Sequence, residues 1–323
     1  MSLHYKHNTG LNSLNKFNKP AQKKIYFPRN FLEKVTQKKD TYTKKQKLNL
    51  PKISIVMTSL NQGKFIERSI LSILNQKYPK LQFIIMDGGS NDSTVKIIKK
   101  YSKYIDFWVS EHDQGQSDAL NKGFKRANGE IYGWLNSDDL YLPNAFFTAV
   151  LAFKNHPKKS VIFGDWLFID ENNTTLDFHH AFDFNLNHFK YEGFHLSAQS
   201  MFWRSNLHKK FKGFNLNLYN IMDYQMILEF GLLAEKKFFR IPNALGAFRR
   251  HKDQKTGNVI TPRILQEHVS LAYRYNYCDK YTFIGHVKRF YFRFRRVFWY
   301  VKRGGVSNLL NRFLLSLEYK LTK

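Results

Sequence analysis

Two adjacent carboxylates, Asp138 and Asp139, directly follow the short apolar segment Ile131–Leu135. Asp is disfavoured in strands, and neighbouring negative charges repel each other. Strand formation alone therefore does not explain two adjacent Asp residues at this position. In an open α/β sheet, ligands lie beyond the carboxyl ends of the strands. Carboxylate oxygens there suit Mg²⁺ or Mn²⁺, which keep coordination positions for substrate phosphates. A solvated turn is the alternative, because Asn136–Asp139 is also rich in turn formers.

The elements that must position this pair alternate between strand and helix patterns. Strands are predicted at 53–58, 81–86, 107–109 and 131–135, with helices after the first three of them. This order predicts an α/β fold with a Rossmann-like, mostly parallel sheet flanked by helices. Each strand is followed by a polar junction, and four such junctions at one rim predict a ligand cleft. They are Ser59–Gly63, Asp87–Asp92, Glu111–Gly115 and Asn136–Asp139.

After residue 150 the alternation loosens. A strand is predicted at 160–169, a loop at 171–195, a short strand at 199–203, a helix at 224–233 introduced by Asp223, strands at 238–241 and 245–249, and a helical tail from Ile264. We therefore expect a flexible basic arm (1–50) with a short helix near Phe31–Lys38, a main domain (51–257, divided into 51–150 and 151–257) and a basic, aromatic helical tail (258–323).

The net charge of +27 favours anionic partners such as nucleotides, phospholipid headgroups or nucleic acid. An abundance of Lys that merely solubilises the surface is the alternative. No signal peptide is evident, and no apolar run approaches the ~20 residues needed to cross a bilayer. The single cysteine, Cys278, cannot form an intrachain disulfide. The expected location is the cytoplasm, either free or peripheral on the inner face of the membrane.

Several motifs occur together in an order that is informative. The chain resembles family 2 glycosyltransferases, enzymes with the GT-A fold that use nucleotide-sugar donors. The resemblance rests on Ile53–Asn61, Asp87–Ser90, Asp113–Ala119, Gly129-Glu130 and Asn136–Asp139, and it continues to about residue 256. The first fifty residues and the last sixty or so lie outside it.

The resemblance implies a donor site and a metal site. The family pattern D-x-D-D begins here with Asn136, which puts the strength of metal binding in question. By the resemblance, Asp139 is the main ligand of Mn²⁺ or Mg²⁺, and His251 completes the metal or diphosphate site. A surface histidine is the alternative for His251, and the neighbouring cations, Arg249 among them, are alternative phosphate clamps. The implied nucleotide-sugar contacts are Thr58, Asn61, Asp87, Gly88, Asp118 and Asp138, with Asp87 near the base and Asp138 near the ribose.

Asp223 resembles the catalytic base of inverting members, which takes the proton of the acceptor hydroxyl. Its position before a helical run also fits an N-cap, and the two roles are compatible. The expected reaction transfers a sugar with inversion to a glycan or lipid-linked acceptor. A nucleotidyltransferase is disfavoured because Ser59–Gly63 is not a Gly-rich phosphate loop. A non-catalytic nucleotide-sugar-binding or membrane-tethered scaffold protein is the competing function.

The tail from Lys288 to Tyr300 interleaves Arg and Lys with aromatic residues. Such a segment can lie in the headgroup region of an anionic membrane. Packing of the aromatic residues on the main domain is the alternative. Nucleic-acid binding is not expected, because no nucleic-acid-binding fold accompanies the segment.

Overall fold

The computed structural model describes residues 31–35, 49–193, 196–255, 261–277, 282–299 and 301–302. Most of the predicted arm, and the tail beyond 302, lie outside these ranges. Part of the arm packs on the main domain: Phe31 is buried, and its carbonyl oxygen accepts a hydrogen bond of 2.6 Å from Asn75 Nδ2. Of the helix predicted near 31–38, residues 31–33 form a turn and 36–38 lie outside the described ranges.

The first half of the sheet is parallel. Strands β1, β2, β3 and β4 lie in the order β3-β2-β1-β4, and each connection between consecutive strands includes a helix. The elements are β1 Ile53–Ser59, α1 Ile66–Leu74, β2 Leu81–Asp87, α2 Thr94–Tyr101, β3 Phe107–Ser110, α3 Gln116–Arg126 and β4 Ile131–Asn136. The predicted α/β alternation is confirmed here, with strand ends within one or two residues of those expected.

The second half extends the same sheet with mixed pairing. Its elements are β5 Leu140–Tyr141, α4 Ala145–Asn155, β6 Val161–Ile169, β7 Thr175–His179, α5 Leu186–Glu192, β8 Met201–Arg204, α6 Ser205–His208, α7 Met222–Ala234, β9 Phe238–Arg249 and α8 Pro262–Arg274; a further helix, α9, spans 283–299. Within the described residues, nine strands form one sheet, continuing from β4 through β8, β6 and β9 to β5, with β7 beside β6.

Two expectations for this half were wrong. Residues 171–195, predicted as a loop, contain β7 and α5. The two strands predicted at 238–241 and 245–249 are one strand, β9, which runs through Pro242 with a shift of register against β6.

The sheet has an apolar core on each face, because successive side chains of a strand point to opposite sides. In β1, Ile55 and Met57 pack with α1 and α4, whereas Val56 packs with α3 on the other face. Gly123 of α3 lies so close to the sheet that a Cβ atom there would be 2.5 Å from Val56 Cγ1. The sheet thus holds the strand ends at a fixed spacing.

Within the described ranges, no helix has both the length and the apolar character needed to cross a membrane.

Candidate active site

The carboxyl ends of β1, β2 and β4 meet at one rim of the sheet. The parallel register pairs Ser59 with Asp87 and Thr58 with Asn136. The structure therefore brings together three of the polar junctions that the sequence predicted to form a cleft. In α/β proteins this rim is the usual place for a ligand.

Asp87 ends β2 as a buried carboxylate that is held by its own loop. It accepts hydrogen bonds from Ser90 N (2.9 Å), Ser90 Oγ (2.5 Å) and Ser110 Oγ (2.6 Å). The next residue, Gly88, faces the loop after β3, because a Cβ atom there would lie 2.8 Å from Asp113 Oδ2. Its lack of a side chain leaves room for close approach of the two loops.

The loops after β1 and β2 are connected to each other by hydrogen bonds. Asn61, with a positive φ of 53°, donates its backbone N–H to Ser90 Oγ (2.7 Å), and its Oδ1 accepts from Asn91 N (3.0 Å). Gly63 N donates to Asp92 Oδ2 at 2.8 Å. Asn61, Asp87 and Gly88 are thus parts of one preorganised wall.

Asn136, the residue that departs from the family pattern, accepts two side-chain hydrogen bonds. Its Oδ1 accepts from Gln116 Nε2 at 2.8 Å and from Trp134 Nε1 at 2.9 Å. Gln116 Nε2 also lies 3.3 Å from Thr58 Oγ1, and its Oε1 accepts from Lys255 Nζ at 3.3 Å. Gln116, at the start of α3, therefore connects the ends of β1 and β4 to a cation that follows β9.

Asp139 is buried, and Arg249 holds it. Its Oδ1 accepts from Arg249 N at 2.9 Å, while its Oδ2 has only Asn136 Nδ2 at 3.5 Å. Burial and the neighbouring charge of Asp138 raise the pKa of Asp139 well above its usual range. The guanidinium of Arg249 donates to Asp138 O (2.7 Å) and Asp170 O (2.8 Å). Arg249, considered from sequence as a phosphate clamp, is fully buried and anchors the acidic turn instead.

Asp138 and His251 form the part of the site that best fits a divalent ion. His251 Nε2 lies 3.1 Å from Asp138 Oδ2, and the ring of His251 packs on Phe65. Two neighbouring ligands of an octahedral ion, each about 2.1 Å from it, lie about 3.0 Å apart, so this spacing is compatible with both ligands on one ion. Among the described residues, no three His, Cys, Asp or Glu side chains are grouped to hold an ion by themselves. The pair suits an ion whose remaining ligands come from water and phosphate.

Asp223 lies in the first turn of α7, not at its N-cap, which is Ile221. The Asp223 side chain is partly accessible, and its Oδ1 accepts from Tyr224 N at 2.8 Å. Burial raises the pKa of Asp223 to about 7, while the positive charge of Lys255 acts in the opposite direction. Burial of its ammonium end also lowers the pKa of Lys255, although part of this side chain remains exposed. A carboxylate whose pKa is raised to about 7 thus interacts electrostatically with a cation that reaches the rim.

Asp118 lies in the first turn of α3, as the sequence analysis expected. Its carboxylate accepts from Gln114 N at 3.2 Å and pairs with Lys122 at 3.0 Å. These contacts suit a negative charge at a helix N-terminus. The predicted contact of Asp118 with the donor stays a prediction.

Three residues near the site had no assigned role from the sequence. Gln116 is one of them, and its amide bridges the ends of β1 and β4. Tyr219 and Glu267 were not singled out, although Lys255 Nζ lies 3.9 Å from the centre of the Tyr219 ring. A long-range partner such as Glu267, on a helix outside the resemblance, leaves no local pattern from which it could have been found.

The profile described as Glycosyl transferase family 2 matches residues 54–219, just over half of the chain. The chain belongs to glycosyl transferase family 2. It is 32% identical over 115 residues to the poly-beta-1,6-N-acetyl-D-glucosamine synthase of Staphylococcus epidermidis, a match that covers 35% of this chain and 28% of that protein. The first curated relatives it matches include uncharacterised glycosyltransferases of Rickettsia species, and the matches cover between 18% and 42% of their lengths.

Solved structures confirm the GT-A-like fold of this family 2 glycosyltransferase. TarS 1-349 of S. aureus in complex with UDP-GlcNAc superposes with a TM-score of 0.54 at 17% identity, covering 65% of this chain and 62% of that one. The mannosyltransferase PcManGT of Pyrobaculum calidifontis, in complex with GDP-Man and Mn²⁺, gives 0.50 at 14% identity, covering 91% and 81%. At these identities the likeness concerns the fold alone.

Proposed function

We propose that this glycosyltransferase moves a sugar, with inversion, from a nucleotide-diphosphate donor to a hydroxyl group of a glycan or lipid-linked acceptor. The observation that carries the proposal is Asp223, a carboxylate whose pKa burial raises to about 7. It interacts electrostatically with Lys255, whose Nζ contacts Gln116 at the rim. The similarity to a poly-N-acetylglucosamine synthase supports a cell-surface polysaccharide as the product.

The donor would lie along the rim formed by β1, β2 and β4. Asp87 and Gly88 lie in one wall of this rim, and Thr58 in its floor. In the proposal the nucleoside contacts this wall, and the ribose lies towards Asp138. The full set of proposed donor contacts is Thr58, Asn61, Asp87, Gly88, Asp118 and Asp138.

The proposed ion is Mn²⁺ or Mg²⁺, and it would supply positive charge to the leaving nucleoside diphosphate. Asp138 and His251 are the pair that the geometry favours as its ligands, with diphosphate oxygens completing the set. Asp139, the main ligand expected from sequence, would reach the ion through Oδ2, since Arg249 N occupies Oδ1. Mn²⁺ in the PcManGT complex is consistent with such a site in this fold.

Asp223 would act as the general base. Its carboxylate would accept the proton of the acceptor hydroxyl as that oxygen attacks the anomeric carbon from the side opposite the diphosphate. A base with a pKa near the working pH combines a large deprotonated fraction with useful proton affinity. Lys255, beside it, would add positive charge near the departing diphosphate.

The donor site is tested first by thermal unfolding with UDP, GDP, dTDP and CMP, each with and without Mn²⁺. Ligand binding to the folded state raises the melting temperature by mass action. We expect a metal-dependent rise with one nucleoside diphosphate that is lost in Asp138→Ala, His251→Ala and Asp139→Ala. A shift that is the same without metal would contradict the ion site, and no shift with any nucleotide would favour the scaffold function.

The reaction is tested by Asp223→Asn with the donor identified above, measuring release of the nucleoside diphosphate. General-base catalysis contributes roughly 10²–10⁴-fold, so we expect a loss in that range with nucleotide affinity unchanged. Glu130→Gln, an exposed carboxylate at the opposite end of β4, is the control. Full activity in Asp223→Asn would remove Asp223 as the base.

The last described helix, α9, has two unlike faces. One face is docked: Phe292 is buried and stacks on Tyr191 (5.9 Å between ring centres), and Arg296 Nη2 lies 2.7 Å from Glu192 Oε1. The opposite face exposes large apolar side chains at helical spacing. They are Val287, Phe290, Phe294 and Phe298.

We propose that this exposed face of α9 rests on an anionic membrane surface. Residues 283–302 contain six Lys or Arg and no Asp or Glu, so the helix complements anionic lipid headgroups in charge. Aromatic rings with surrounding cations suit the interface between headgroups and acyl chains. Both alternatives from the sequence therefore apply, packing to one face of the helix and the proposed membrane contact to the other.

The membrane surface is tested by flotation with vesicles of phosphatidylcholine alone and with added phosphatidylglycerol. We expect salt-sensitive binding only to the anionic vesicles, reduced roughly tenfold or more in Phe290→Ser with Phe294→Ser. Leu232→Ser with Leu233→Ser, an exposed apolar pair on α7, is the matched control. Dimerisation through this face would contradict the proposal. Vesicle binding that appears only after deletion of residues 303–323, and not in the full chain, would contradict it as well.

A further inference from the structure

The segment just before α7 is held by one side chain from outside the family match. Glu267 of α8 is buried, and its two carboxylate oxygens accept hydrogen bonds from three consecutive backbone N–H groups. These are Tyr219 N (2.9 Å), Asn220 N (2.9 Å) and Ile221 N (3.2 Å). The last of them is the N-cap of α7 and lies two residues before Asp223.

These contacts satisfy the hydrogen-bonding capacity of both the Glu267 carboxylate and the backbone N–H groups of residues 219–221. A buried carboxylate is stable only when donors replace water, and three amides with Arg263 at 3.4 Å provide them. Among the described residues, Glu267 is the acceptor for the amides of Tyr219, Asn220 and Ile221, so without it they would depend on water. Replacing Glu267 would therefore release the entry of α7 and not a distant surface loop.

The same carboxylate also places an aromatic ring of the site. Two cations contact the Tyr219 ring: Lys255 Nζ lies 3.9 Å and the Arg263 guanidinium 4.3 Å from its centre. Lys255 in turn reaches Gln116 at the donor rim. A shift of residue 219 would move the surface on which Lys255 rests, so Glu267 is coupled by direct contacts to both sides of the site.

We infer that Glu267 is a positioning residue of the transferase reaction, which fixes Asp223 and, through Tyr219, Lys255 in their working geometry. The inference rests on the proposed function of Asp223. It assigns α8, which lies beyond the matched residues 54–219, to the active site. Misplacement of a reacting group by about 1 Å can cost on the order of 100-fold in rate. Loss of the contacts of Glu267 with residues 219–221, which we call the latch, is therefore enough to impair turnover.

The negative charge of Glu267 has a second effect. Asp223 is faced by Lys255, which favours its charged form, and by Glu267, which disfavours it. Removing the charge at 267, or letting water reach Asp223 when the latch opens, changes the pKa of Asp223 in the same direction, downwards. If Glu267 supported the fold without influencing Asp223, no such change would be expected.

The test compares Glu267→Gln with the wild type and with Gln266→Ala, an exposed neighbour on the same helix. Nucleoside diphosphate release is measured from UDP-GlcNAc or GDP-Man, whichever stabilises the wild type, across a range of pH. For Glu267→Gln we expect kcat to fall by roughly tenfold or more with the donor KM within about twofold. The acidic limb of the kcat/KM profile should move to lower pH.

Asp223→Asn, assayed alongside, separates this inference from the proposed function. If Asp223→Asn is inactive and Glu267→Gln keeps wild-type activity, only the role of Glu267 is overturned. An active Asp223→Asn would overturn the base itself. A Glu267→Gln protein that loses thermal stability but keeps its kcat per folded molecule and its pH profile would make Glu267 structural. Glu267→Asp, which keeps the charge on a shorter side chain, should retain the acidic limb even where kcat falls.

Discussion

The proposed role of Asp223 requires a charged carboxylate at a position where burial favours the neutral form. Its surroundings raise its pKa to about 7, which suits proton transfer but makes the ionised form costly in the folded protein. Both consequences can be measured, one in the rate and the other in stability.

The rate should depend on the ionisation of Asp223. In its proposed role Asp223 works only when deprotonated, so kcat/KM is expected to fall about tenfold per pH unit below pH 7 and to level off above it. The measurement is nucleoside diphosphate release at saturating metal, with metal binding followed separately at each pH. An acidic limb near pH 4 would mean that a carboxylate with an ordinary pKa limits the reaction.

Stability should change in the opposite sense. Because the folded-state pKa of Asp223 is raised, its contribution to the free energy of unfolding is present below about pH 4 and is lost as pH rises through 7. Asp223→Asn avoids that loss, so we expect it to melt several degrees above the wild type at pH 8 and not at pH 4. Equal melting temperatures at pH 8 would show that Asp223 is better solvated than the structure implies. Glu130→Gln again serves as the control.

At the scale of elements, the regular βαβ part could be predicted because burial on both faces of a parallel sheet produces plain apolar strands. β7 was missed because it is a half-exposed strand with mixed side chains, so no period stands out. β9 was divided in two because Pro242 interrupts its pattern. Gly164 of β6 allows the continuous strand, since a Cβ atom there would lie 2.2 Å from Asn243 O.

The contact between α3 and the sheet predicts an unusual effect of alanine. Gly→Ala in a helix interior normally stabilises by about 1 kcal/mol. At Gly123 the added methyl group would lie 2.5 Å from Val56 Cγ1 and 3.1 Å from Met86 Cγ, so we expect a loss of about 1–3 kcal/mol from overpacking. Chemical denaturation measures it, with Lys125→Ala on the exposed side of α3 as the control. A more stable Gly123→Ala would mean that α3 moves away from the sheet at little cost.

At the scale of the whole molecule, sequence patterns located the rim but not the contacts that complete it. The acidic pair and the loops at Asp87 and Asn61 follow strands, so local pattern finds them. Arg249 reaches Asp139 across 110 residues, and Lys255 reaches Gln116 across 139. Glu267 reaches Tyr219 across 48 residues, so only the folded chain brings these partners together.

The net charge of +27 predicts salt-dependent binding of anionic ligands. We expect the dissociation constant of UDP, or of whichever nucleoside diphosphate binds, to rise several-fold between about 50 and 500 mM NaCl, as the Debye length shortens. Titration calorimetry measures it, with the uncharged nucleoside as control. Equal salt sensitivity of nucleoside and diphosphate would exclude an electrostatic origin.

The position of β9 in the sheet has a consequence for how the protein is made. β5, directly after the acidic pair, forms its strand pairing with β9, and Arg249 at the end of β9 holds Asp138 and Asp139. A ribosome must therefore release about 250 residues before the acidic turn has its support, and α8 follows later still. Such distant pairing is a slow step of folding. The nascent chain would carry both carboxylates long before Arg249 could hold them, and a product truncated before β9 would lack this support.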